Sequence, residues 1–169
     1  MNKKTLIAFY SRKGQNYVSG KIMNLSVGNT AVIAKMIHEF TDSDIFEIDT
    51  IKSYPIDYTE TTRVAKVELK ENARPELTEV VENMKQYDII YLGYPNWWGT
   101  FPMAVFTFLE SYDFSGKTII PFCTHEGSGM GGESDIRDLC PNARIEKGIA
   151  IKGSTVLSAD NMIKNWLNK

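Results

Sequence analysis

The run from Asp88 to Pro102 constrains the fold of this chain more than any other. Ile89-Ile-Tyr-Leu-Gly93 is continuously apolar, the pattern of a strand buried on both faces, and Tyr94, Pro95, Asn96, Trp97, Trp98 and Gly99 follow as an abrupt irregular loop. Adjacent residues on irregular backbone point different ways. One tryptophan of the pair is therefore expected in the core and the other half exposed, offering a flat surface at the carboxyl end of the strand, where open α/β sheets bind ligands.

The remaining segments place that strand in a repeating pattern. Thr5 to Tyr10 is a second continuous apolar run and predicts a central parallel strand. Ala31 to Phe40 carries Ile33, Met36, Ile37 and Phe40 at helical spacing, with Asn29 or Thr30 available as its cap. Ile45 to Asp49 alternates as a strand nearer an edge, Asp57 to Asn72 predicts a solvated helix, and Thr78 opens an expected third helix through Val80, Val81 and Met84. Beyond the tryptophan loop come a helix over 103–109, a buried strand over 117–124, a helix over 133–139, a last strand over 143–151 and a final helix capped by Ser158. The order β-α-β-α-β-α-β-α-β implies an α/β fold, a doubly wound five-stranded parallel sheet with helices on both faces, and one domain over 1–169.

Composition narrows the function. A formal net charge of -2, with no long run of Lys or Arg, argues against nucleic acid as a partner. The segment 89–109 contains no charged residue, but Pro95, Asn96, Gly99 and Pro102 interrupt it, so no membrane span is expected. Two lysines precede the first apolar run without a small-residue cleavage site, which leaves a cytoplasmic location as the expectation. Cys123 and Cys140 fit no metal or redox spacing and read as reduced and inert, and His38 reads as a surface or satisfied core residue.

Three unusual loops follow the first, third and fourth strands and should meet at one edge of the sheet. The first holds Ser11, Arg12, Asn16, Asn29 and Thr30, donors at or before a helix amino terminus, which serve either ordinary capping or the binding of a phosphate. The second supplies the tryptophans. The third, after Thr124, runs His125-Glu126-Gly127-Ser128-Gly129-Met130-Gly131-Gly132, a backbone able to come close to a ligand. A phosphate site, a flat aromatic and a wall of free amides together describe a pocket for a phosphorylated planar ring, flavin mononucleotide (FMN). Glu126 reads either as a solvated loop charge or as a carboxylate at the ring, where it would lower the potential of the flavin.

At these residues the sequence resembles the flavodoxin family, in particular short flavodoxin-like proteins with a Tyr-Pro-x-Trp-Trp-Gly loop, here Tyr94 to Gly99, followed by Phe122-Cys123-Thr124 and the later glycines. The resemblance implies strand order 2-1-3-4-5 and FMN held non-covalently. Carried over by position, Ser11, Arg12, Asn16, Asn29 and Thr30 would hold the phosphate. Pro95, Asn96, Trp97, Trp98 and Gly99 would line one side of the isoalloxazine, and Thr124, Glu126, Gly127 and Gly129 its pyrimidine side. The family fingerprint is interrupted: Gly28-Asn29-Thr30 arrives only after an insertion, in which Tyr17 to Met23 could form a hairpin turning at Ser19-Gly20.

The implied function is electron transfer, with FMN cycling between oxidised, semiquinone and reduced states and serving redox partner proteins or small electron acceptors. The alternative is an FMN-dependent NAD(P)H:quinone oxidoreductase, which needs room for two planar molecules in turn over one flavin face. A flavin-free signalling module of the same fold is the remote alternative, since Ser11-Arg12 and Pro95-Asn96 stand where a receiver domain needs acidic residues. No catalytic side chain and no metal site is expected.

Overall fold

Thr5–Phe9 forms β1, and its alternation explains why the run is apolar throughout: Leu6 and Ala8 enter one core cluster, Ile7 and Phe9 the other. In this computed structural model, which describes residues 3–169, the chain then makes a hairpin of β2 (Gly14–Val18) and β3 (Lys21–Leu25) before α1 (Asn29–Phe40) and β4 (Asp44–Glu47). The helix α2 (Tyr58–Glu71) and the strand β5 (Ile89–Pro95) follow. Next come α3 (Met103–Glu110), β6 (Thr118–His125), α4 (Glu133–Leu139), β7 (Arg144–Ile145), β8 (Ile149–Lys152) and α5 (Asp160–Leu167).

All main-sheet pairings are parallel, in the order β4-β1-β5-β6, with β7 and β8 both on the far side of β6. This is the expected 2-1-3-4-5 arrangement with its fifth strand broken in two. Glu146 to Gly148 lie opposite Ile120 and Pro121, three residues against two, and the proline offers no N–H to the ladder there. The helices α1 and α5 cover one face around Ile33, Ile37, Phe122, Ile151 and Ile163, while α3 and α4 cover the other around Tyr94, Phe101, Phe108 and Ile136. Both cysteines are buried free thiols, and burial pushes Cys123 up to about 12 and Cys140 up to about 11, as suits inert residues.

Two expected local features differ. The helix expected through Val80, Val81 and Met84 is absent: Leu77 bridges Thr50, Val81 N–H donates to the Tyr112 hydroxyl, and only Met84–Gln86 makes a single 3-10 turn. Val80 is 69% exposed, so the segment lacks the apolar stripe that would hold a helix against the sheet. The final helix starts after Ala159 without a side-chain cap, because the Ser158 hydroxyl is spent on the Thr155 carbonyl.

Candidate functional site

The carboxyl end of β1 meets the amino end of α1 through a contact that only glycine permits. A Cβ on Gly28 would lie 2.2 Å from Ser11 Oγ and 2.5 Å from the Arg12 carbonyl oxygen. That closeness lets Ser11 Oγ accept from Ala31 N–H at 3.0 Å, so Ser11, not Asn29 or Thr30, caps the helix from a distance. The Thr30 hydroxyl is buried against that of Thr124 at 2.8 Å, joining α1 to the end of β6. The Asn29 side chain and the first-turn N–H groups of Asn29 and Thr30, which have no intrahelical acceptor, remain the donors of this corner.

The insertion is a hairpin turning at Ser19 and Gly20, whose φ of 49° and 86° are those of a tight two-residue turn. Arg12 anchors its base: Nε donates to the Gln15 carbonyl, and Nη2 to the carbonyls of Pro55 at 3.0 Å and Ile56 at 2.9 Å. Asn16 Nδ2 donates to the Arg12 and Gly14 carbonyls. Gln15 Oε1 accepts from Tyr58 N–H at 2.8 Å, capping α2 from the hairpin, and the Tyr17 and Tyr58 rings stack at 6.3 Å. Burial raises the Tyr58 phenol above its ordinary pKa; Tyr17 and Glu126 add to the shift and Arg12 opposes it.

The two tryptophans divide as their sequence suggests. Trp97 packs edge-on against Tyr10 at 5.4 Å and Tyr54 at 5.2 Å, whereas Trp98 is 52% exposed. Trp98 leans on α2, where Nε1 donates to the Thr62 carbonyl at 3.0 Å and Lys66 Nζ lies 4.9 Å from the ring centre. Asn96 ties the second loop to the third, its Nδ2 donating to the Gly129 carbonyl and its Oδ1 accepting from Gly99 N–H, both at 3.0 Å. Gly131 seals that junction, since a Cβ there would lie 2.6 Å from the Gly99 carbonyl oxygen. Gly127 and Gly129 both have positive φ and open space around them.

Two adjoining cavities result. The larger, about 290 Å³, runs between α2 and the tryptophan loop along Thr61, Thr62, Ala65 and Trp98. The smaller, about 110 Å³, reaches Asn29, Thr30, Thr124 and Glu126. Arg12, Asn16, Tyr58, Asn96 and Trp97 line both, which makes them one continuous groove. A flavodoxin family model matches residues 17–169 of the sequence. The chain belongs to the flavodoxin family.

Solved structures agree with that membership. A protein of Bacteroides uniformis ATCC 8492, assigned as a flavoprotein, is 30% identical over the whole of both chains with a TM-score of 0.78. Another so assigned, from Bacteroides eggerthii DSM 20697, is 26% identical over 99% of this chain and 97% of its own, also at 0.78. A Lactobacillus acidophilus NCFM flavoprotein, solved in complex with FMN, shares the fold at 21% identity over 95% and 99% of the two chains, with a TM-score of 0.64. No curated protein matches the sequence.

In this flavodoxin the three loops named from the sequence converge, and several of their residues are also tied into the scaffold. Ser11, Arg12 and Asn16 spend hydrogen bonds on backbone groups of the scaffold. Gly127 and Gly129 are absent from the lining of both cavities, and Glu126 stands beside Asn29 at the end of α1. The wall supplied by Tyr58, Thr61, Thr62 and Ala65 is not apparent from the sequence, because α2 reads as a solvated helix. Its signal was present in Thr61 and Ala65, four apart on one face and both buried.

Proposed function

We propose that this flavodoxin holds FMN non-covalently in the groove and transfers electrons as a carrier, acting as a single domain. The convergence of the three loops on one groove with two chemically distinct ends carries this reading. At the narrow end, the Asn29 amide and the N–H groups opening the twelve-residue α1 hold the phosphate, in the positive field of the helix terminus. Gly28 and Ser11 fix that corner, and Arg12 and Asn16 organise it at second hand through the hairpin base. At the wide end, Trp97, Trp98 and Asn96 face Tyr58, Thr61 and Ala65 across a slot suited to one planar ring. When bound, the isoalloxazine supplies the redox chemistry, and the chain supplies orientation, amides and exclusion of water.

The size of the groove favours the carrier over an NAD(P)H-dependent reductase. The two cavities together lie near the bottom of the range of roughly 300–1,000 Å³ spanned by sites for single ligands, and a reductase must seat a second planar molecule on the flavin. Trp98, half exposed at the rim, gives a partner protein an aromatic edge next to the ring. Spectroscopy of the FMN-loaded protein with NADH or NADPH and a quinone tests the choice. A carrier leaves the nicotinamide unoxidised yet reacts with a one-electron reductant, and rapid nicotinamide consumption by the protein alone would replace this reading with the reductase.

A further inference from the structure

Among the described residues lining the narrow end, Glu126 is the charged group whose chemistry opposes a phosphate. One carboxylate oxygen, Oε2, accepts from Ser19 N–H at the hairpin tip at 3.1 Å. The other, Oε1, is shut away from solvent and has no hydrogen-bond partner among the described residues. Oε1 and Asn29 Nδ2 converge on Gly153, where an added Cβ would lie 2.3 Å and 2.4 Å from them, so the carboxylate sits against the residue that opens α1. Arg12 lines the same cavity, but its Nε and Nη2 donate to the carbonyls of Gln15, Pro55 and Ile56.

An unpartnered carboxylate oxygen out of water is costly. The positive end of α1 offsets part of that cost, and it is the same field that the bound phosphate would use. Resting on the FMN reading, we infer that Glu126 sets how strongly this site discriminates between flavins: its carboxylate competes with the 5′-phosphate of FMN for the amino end of α1, and leaves riboflavin, which lacks the phosphate, unaffected. Because the other oxygen holds Ser19, seating a phosphate draws the carboxylate away and loosens the hairpin tip. Glu126 is thus a specificity residue and a latch between cofactor and hairpin.

Fluorescence titrations of FMN and of riboflavin against the wild type, Glu126→Gln and Glu126→Ala separate this from a structural role. Both variants should bind FMN more tightly, by on the order of tenfold for one like charge removed at close range in a partly buried site, with riboflavin affinity changed less than about twofold. Hydrogen exchange should show the peptide around Ser19 less protected with FMN than with riboflavin in the wild type, and equally exposed with either flavin in the alanine variant. Equal changes for the two flavins, or none for FMN, would overturn the inference while leaving the FMN reading intact. A wild type that binds neither flavin would overturn both.

Discussion

Trp97 and Trp98 are neighbours in sequence and opposites in energetics. Trp97 is held edge-on by Tyr10 and Tyr54, so Trp97→Ala removes core packing and should destabilise the fold by about 3 kcal/mol. Trp98 is half exposed and rests on α2 through one hydrogen bond and the Lys66 ammonium, so Trp98→Ala should cost below about 1 kcal/mol. Urea denaturation of the two variants measures both, and equal losses would contradict the division. This split was legible in the sequence, because irregular backbone cannot bury two consecutive large side chains the same way. The post of Arg12 was not. Its guanidinium ties the hairpin base to the Pro55 and Ile56 carbonyls, partners more than forty residues away that no local pattern shows.

The inserted hairpin and α2 stabilise one another. Gln15 caps the first turn of α2 from across the groove, and Tyr17 stacks on Tyr58, so the wall of the ring slot depends on an element that interrupts the family fingerprint. Gln15→Ala should lower stability by about 1 kcal/mol, the size of a lost helix cap, and should weaken FMN binding as well. Calorimetry with and without FMN reads both effects; a loss of stability with unchanged affinity would show that the slot does not need the hairpin. Where apolar periodicity was strong, element boundaries were legible to within a residue or two, as for α1, α3 and α4. They failed where tertiary contacts decided the outcome. The segment 77–83 was captured by the edge at Thr50 and by the Tyr112 hydroxyl, and the last strand broke opposite Pro121, a bulge that a single-strand pattern cannot display.

Across the whole molecule, buried tyrosines gather beneath the groove and fix its response to alkali. Burial, ahead of nearby carboxylates and other neighbours, raises the phenols of Tyr10, Tyr54 and Tyr94 well above the ordinary tyrosine value. The native state therefore keeps protons that the unfolded chain releases, so the stability these groups lend is complete below about pH 10 and is lost as pH rises above it. Each contributes a fall of up to about 1.4 kcal/mol per pH unit. The share of tyrosinate absorbance that is lost when Tyr10, Tyr54 or Tyr94 is replaced by Phe should then appear together with loss of helical circular dichroism, and ionisation of that share well before unfolding would contradict the burial. The central claim, that three loops of this flavodoxin make one site for FMN, is tested most directly by titrating FMN into the flavin-stripped protein while following flavin fluorescence. One FMN per chain, bound with a clear change in fluorescence, is the predicted result, and fluorescence that follows free FMN up to millimolar protein would contradict it.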